Sequence, residues 1–159
     1  MSANRHLGRI IALQTLYEFE FRMDCEDKKV SLHEILKRNL SRYNKAVQDV
    51  EFVKKLVDDV QTGGEELDKA LQPVAKERPM SEIARMDRVI LHIAAYELLH
   101  TKDTPAKVVI NEAVELAKSF GGENSSKFIN GALGALLLII DPSQAKAPKK
   151  PVEEVKETK

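Results

Sequence analysis

Apolar residues recur along this chain three and four positions apart, the spacing that gathers side chains on one face of an α-helix. Runs that alternate apolar and polar residues, as half-buried strands do, are almost absent. The pattern predicts a first helix over Asn4 to Met23, with Ile10, Leu13, Tyr17 and Phe21 on its buried stripe. An acidic and lysine-rich turn, Asp24 to Lys29, ends it, and a second, shorter helix fits Leu32 to Tyr43. A third begins near Ala46 and carries Val50, Val53, Val57 and Val60 inward, until the paired glycines Gly63-Gly64 bend or break it. The periodicity resumes with Leu67, Leu71 and Val74.

Pro73 and Pro79 bracket a linker, and Ser81 with Glu82 after it starts the next helix. That helix reaches about His100, with Ile83, Met86, Ile90, Ile93 and Leu98 near its buried side. The following helix is the best delimited. Thr104 is placed as N-cap, Pro105 fits the first helical position, and Gly121-Gly122 supplies the stop. Its apolar residues Val109, Ala113, Leu116 and Phe120 keep helical spacing throughout. The last helix starts at Ser125 or Ser126 and packs through Phe128, Ile129, Leu133, Leu136 and Ile140. Gly131 and Gly134 are expected to admit a close neighbour, and Pro142 ends the helix. The expected fold is all-α: about seven helices in two packed bundles, divided near the Pro73 to Pro79 linker but sharing one core.

Composition sharpens this picture. A chain of 159 residues with 43% hydrophobic residues is one soluble domain long enough to bury a core. Residues 1–141 are assigned to the helical domain. Residues 142–159, rich in proline, lysine and glutamate, bury too little to offset their ordering entropy and are expected to be a disordered tail. The formal net charge is zero, so a nucleic-acid partner would need a local positive surface. The lone Cys25 excludes an internal disulfide and fits a reducing cytoplasm, and its acidic neighbours Asp24, Glu26 and Asp27 disfavour a reactive thiolate. No stretch approaches the roughly twenty apolar residues of a membrane span, and the N-terminus lacks a signal-peptide pattern.

Catalytic chemistry is not visible. His6, His33, His92 and His100 have no metal-ligand spacing, and no Glu-x-x-His pair, phosphate loop or nucleophile elbow occurs. Glu112 and Glu115 share a helix face, but acids early in a helix favour its positive end and are expected to face water. Neither a cofactor nor a metal is expected.

Two places concentrate groups suited to RNA. In the first, Arg5 and Arg9 are one turn apart beside His6, with both guanidinium forks projecting from the same side; the residues alone fit equally an ordinary solvated helix start. The second is the stretch Lys118, Ser119, Gly121-Gly122, Asn124, Ser125, Ser126, Lys127 and Phe128, where a glycine turn exposes backbone N–H groups beside lysines. Phe128 is suited to base stacking, though its spacing with Leu133 and Leu136 favours the core.

These residues fall within a wider pattern. Arg5-His6-x-x-Arg9, Ala12-Leu13-Gln14-Thr15-Leu16-Tyr17, Glu65-x-Leu67-Asp68, Asp87-Arg88-Val89-Ile90-Leu91-x-Ile93-Ala94-x-Tyr96-Glu97-Leu98, Pro105-x-Lys107-Val108, Val109-Ile110-Asn111-Glu112-Ala113-Val114-Glu115-Leu116-Ala117-Lys118-Ser119-Phe120-Gly121 and Lys127-Phe128-Ile129-Asn130-Gly131 follow in order over about residues 4 to 140. The chain thereby resembles the NusB family of transcription antitermination factors. The resemblance implies two helical bundles, no enzyme activity, and binding of the boxA element of nascent ribosomal or phage transcripts. It also implies work beside the RNA polymerase elongation complex with NusE, a small-subunit ribosomal protein.

By the same resemblance, RNA contact falls to Arg5, His6, Arg9, Gln14, Tyr17, Lys118, Asn124, Ser125, Lys127 and Phe128, and partner contact to Glu82 and Asp87. Departures from the family pattern are Leu7 and Gly8 in a thinner arginine motif, His92 where arginine is common, Asn124 where an acid is common, and Arg78-Pro79-Met80 without the usual aromatic. Other readings remain: a helical protein-interaction module that never touches RNA, the NusB-like domain otherwise found joined to ribosomal RNA methyltransferases, and a homodimer that hides the RNA surface.

Overall fold

In the computed structural model, which describes residues 2–43, 46–75 and 78–144, the central element is the first helix, α1 (Ser2–Asp24). It packs against α2 (Leu32–Arg42), α3 (Val50–Thr62) and α5 (Arg85–His100). A helix covered on several sides buries more than one stripe. Ile11, Ala12, Leu13, Thr15 and Leu16 are at most 2% exposed, whereas Ile10 and Tyr17 are only half-buried and Phe21 lies on the surface. The expected stripe is corrected accordingly: only Leu13 of its four residues is in the core. Gly8 explains how tightly α1 meets α3, since a Cβ there would stand 2.9 Å from a Val53 methyl.

The ends of the helices follow local chemistry. Ser31 caps α2 by accepting from the Glu34 N–H, and Asp49 caps α3 by accepting from the Phe52 N–H at 3.0 Å. This cap starts α3 at Val50 rather than near Ala46. Gly63 ends α3, and α4 (Gly64–Leu71) follows at once and lies on α5. Two short 3-10 turns, Gln72–Val74 and Met80–Glu82, lead into α5, which begins at Arg85 instead of Ser81 because Ile83 is extended. Thr104 does not cap α6 (Ala106–Phe120): Pro105 occupies the cap position, and the Thr104 hydroxyl accepts from Arg5.

Helices α5 and α6 pack on α7 (Ser125–Ile140), and the buried side chains of all seven helices join one continuous core. The two expected groups, divided at the Pro73 to Pro79 linker as α1–α4 and α5–α7, thus share their interior, and α4 of the first lies mainly on α5 of the second. Ile140 is at the surface, contrary to expectation, and nothing lies within 4 Å of a Cβ built at Gly131 or Gly134, so those glycines admit no close neighbour. At the start of the expected tail Pro142–Gln144 form a 3-10 turn held by Asp141, while residues 145–159 lie outside the described residues. Among the described residues no helix is long and apolar enough to cross a membrane.

Candidate nucleic-acid interface

Of the arginine motif of α1, Arg9 faces inward. Arg9 is 2% exposed, and its guanidinium donates two parallel hydrogen bonds to the carboxylate of Glu97, from Nε at 2.8 Å and from Nη2 at 2.7 Å. Its third nitrogen, Nη1, stands 3.7 Å from Glu112, and the half-buried His6 shares a 2.5 Å hydrogen bond with that same carboxylate through Nδ1. Glu112 therefore does not face water as expected; its carboxylate is held among side chains of α1. Arg9 therefore does not project outward beside Arg5 as expected: the pair with Glu97 uses two of its N–H donors, and burial keeps the others away from a strand at the surface.

Arg5 is partly accessible. Its guanidinium lies 4.7 Å from the ring centre of Phe52, donates to Thr104 Oγ1 at 3.1 Å, and has Asp103 at 3.5 Å and Asp49 at 3.8 Å. Arg9 approaches the same ring, at 5.4 Å. Two arginines are thus met by Glu97, Glu112, Asp49 and Asp103, so this end of the molecule is not a free cationic surface. Phe52, Glu97 and Thr104 were missed from sequence. Glu97 was legible as an acid in the otherwise apolar run of α5; Phe52 carried no such sign.

The α6–α7 turn is more open. Gly121 ends α6 where a Cβ would come 2.6 Å from Ser125 Cβ and 2.7 Å from the Ala117 carbonyl, so only glycine fits. The Gly122 N–H donates to Ser125 Oγ at 2.8 Å, which buries Ser125 and uses its hydroxyl. Ser125, expected at the surface of the turn, is instead buried as its brace, and the N–H groups of Gly121 and Gly122 are bonded rather than free as expected. Asn124 is exposed at the N-cap of α7 and its side chain makes no capping bond. Lys127 is exposed without an ion pair among the described residues, Lys118 is exposed beside Glu115 at 3.6 Å, and Phe128 is half-buried against the core.

Helix α6 joins the two places. Thr104, just before it, and Glu112 in its first half hold Arg5 and His6, and Lys118 leaves its last turn. Exposed Lys107 and Lys118 are eleven residues apart, about three turns, and so share the outward face, with exposed Asn111 between them.

Tyr17 belongs elsewhere. It lies under Arg85, 5.8 Å from ring centre to guanidinium, and Arg85 also covers Phe21 and pairs with Asp24. Tyr17 is therefore beside the start of α5, the end that carries exposed Glu82 and half-buried Asp87, while half-exposed Gln14 lies one turn nearer Arg5. Arg88 pairs with Glu20 at 3.4 Å and His92 with Asp68 at 2.6 Å, tying α5 to α1 and α4. Among the described residues no three His, Cys, Asp or Glu side chains gather as a metal site, and Cys25 is free and exposed.

Comparison with known proteins agrees with this architecture. The model of one family, described as the NusB family, matches residues 6–137. A transcription antitermination protein NusB of Dehalococcoides mccartyi is 39% identical over 137 residues, covering 86% of this chain and 91% of that protein. Among solved structures, T. maritima NusB superposes with a TM-score of 0.73 at 31% identity, over 84% of this chain and 89% of that one. A structure of antitermination factors NusB and NusE in complex with dsRNA superposes with a TM-score of 0.73 at 25% identity, over 87% of this chain and 99% of that one.

Proposed function

The chain belongs to the NusB family, and from that premise we propose that it binds a single-stranded boxA-type element of nascent ribosomal RNA transcripts together with NusE. Its family is one of transcription antitermination proteins rather than enzymes. The work is done in the cytoplasm beside the RNA polymerase elongation complex.

One observation carries the reading: Asn124 and Lys127 present side chains not consumed by the fold, at a turn that Ser125 and Gly121 hold rigid. Lysines at 118 and 127 anchor phosphates, Asn124 and the accessible part of Phe128 meet bases, and the strand follows Lys107 and Asn111 along α6 toward Arg5 and His6. Gln14 borders that path. Glu82 and Asp87, with Tyr17 and Arg85 nearby, form the surface for NusE. Arg9 and Ser125 act by holding the frame.

The test is a binding titration of boxA-type RNA, single-stranded and duplex, with and without NusE at two ionic strengths. The expected result is tighter binding of the single strand, strengthened by NusE and weakened by salt. Affinity indifferent to salt and unchanged in Lys118→Glu/Lys127→Glu would leave the chain a protein-interaction module, a reading favoured by the four carboxylates around Arg5 and Arg9. A homodimer that covers the α6 face would show as a concentration-dependent mass in ultracentrifugation.

A further inference from the structure

Helices α2 and α3 each pack firmly on α1 but scarcely on one another. Between them runs an open groove of about 690 Å³ with an apolar floor of Leu36, Leu40, Tyr43, Val47 and Val50. Its far end is closed by a hydrogen-bonded pair across the groove, His33 on α2 with Asp58 on α3, at 3.1 Å. The two helices are antiparallel, so one turn further on the register sets Lys37 opposite Lys54, and both line the groove. Among the described residues lining the groove the one carboxylate is Asp58, a turn away at that closed end. Lys37 has no ion pair among the described residues, and Lys54 has only Glu51, at 3.8 Å on its own helix and almost fully exposed.

Two exposed lysines flanking an apolar floor make the groove locally cationic, and an anion set between them is attracted by both. The geometry points to a docking site for an acidic amphipathic helix of a protein partner, separate from the α6 face. Apolar anchors at i, i+4 and i+7 of the incoming helix cover Leu36, Leu40 and Val50, and a glutamate or aspartate on its flank reaches Lys37 and Lys54. From His33 to Tyr43 the α2 wall is about 15 Å long, room for roughly three turns. An aliphatic floor with one aromatic ring offers little stacking surface to RNA bases, and helical walls offer no strand edge to an extended peptide.

The test follows backbone amide signals of the full chain by NMR during titration with a synthetic helical peptide of about four turns, leucines on one face and glutamates on its flanks. Expected are shifts at Leu36, Leu40, Tyr43, Val47 and Val50, and none with the same peptide carrying lysines for glutamates. Lys37→Glu/Lys54→Glu, checked for unchanged helicity, is expected to weaken the acidic peptide about tenfold and to admit the lysine peptide. Equal binding of both peptides, or shifts elsewhere or nowhere, would overturn the proposal. So would the same amides moving with boxA-type RNA alone, which would make the groove an RNA surface, or with protein concentration alone, which would make it a contact between copies.

Discussion

Arg9 and Glu97 form a two-fold hydrogen-bonded pair inside the protein, joining α1 to α5 with both side chains at most 2% exposed. Breaking such a pair leaves one buried charge without a partner, at a cost of about 3–5 kcal/mol, whereas replacing both members by apolar residues is far less damaging. Arg9→Ala is therefore expected to lower the stability of the chain by that amount in urea unfolding. Arg9→Met/Glu97→Leu should recover most of it. If Arg9 acts only as a brace, the double variant keeps its RNA affinity within about twofold; a tenfold loss in that stable variant would return Arg9 to the RNA surface.

The helices were legible because their periodicity is set by the core they share, and the errors have local causes. A single buried stripe was expected for α1, but a helix with neighbours on three sides buries Ile11 and Thr15 too and leaves Phe21 outside. Thr104 has the chemistry of a cap, yet Arg5 competes for its hydroxyl. At the site, exposed Lys118, Asn124 and Lys127 could be read from a polar turn between two helices. The inward aim of Arg9 could not, since Glu97 and Glu112 are 88 and 103 positions away and only the fold brings them together.

The α6–α7 turn is expected to carry the salt-dependent part of RNA affinity. Each of Lys118→Glu and Lys127→Glu should weaken binding of boxA-type RNA across sequences and reduce the slope of log affinity against log salt by about 1. Asn124→Ala removes no charge and should lower affinity without changing that slope. An unchanged slope in both lysine variants would remove this turn from the interface.

Gly121 and Ser125 hold that turn, and their variants separate shape from contact. Gly121→Ala pushes a methyl against Ser125 and the Ala117 carbonyl, neither of which can withdraw, and should cost about 1–3 kcal/mol. Ser125→Ala leaves the Gly122 N–H without its acceptor, for about 1 kcal/mol. Thermal unfolding reads both. RNA affinity should fall in step with the displacement of Asn124 and Lys127, visible as NMR shifts at those amides; a loss of affinity with those amides unmoved would mean that Ser125 touches RNA directly.

Asp59 gives the pH dependence a defined sign. Its carboxyl is held below the usual carboxylate range, first by the hydrogen bond from Lys55 at 2.8 Å and then by the Tyr96 hydroxyl, and it ties α3 to α5. A depressed carboxyl stabilises the fold fully above its unfolded pKa of about 4, and that contribution fades as the pH falls through the lower folded value. Tyr96 is shifted upward, by burial first and by the neighbouring Asp59 carboxylate second, so its share is present below about pH 10 and is lost as the pH rises through its folded value. Urea midpoints measured from pH 2 to 11 should therefore fall at both ends in the natural chain. Asp59→Asn should be less stable at neutral pH and show a shallower acid fall, while Tyr96→Phe should keep the acid fall, because Lys55 remains, and lose part of the alkaline one. An acid limb of equal depth in Asp59→Asn would mean that other carboxylates, such as Glu18 held low by Arg38, account for it.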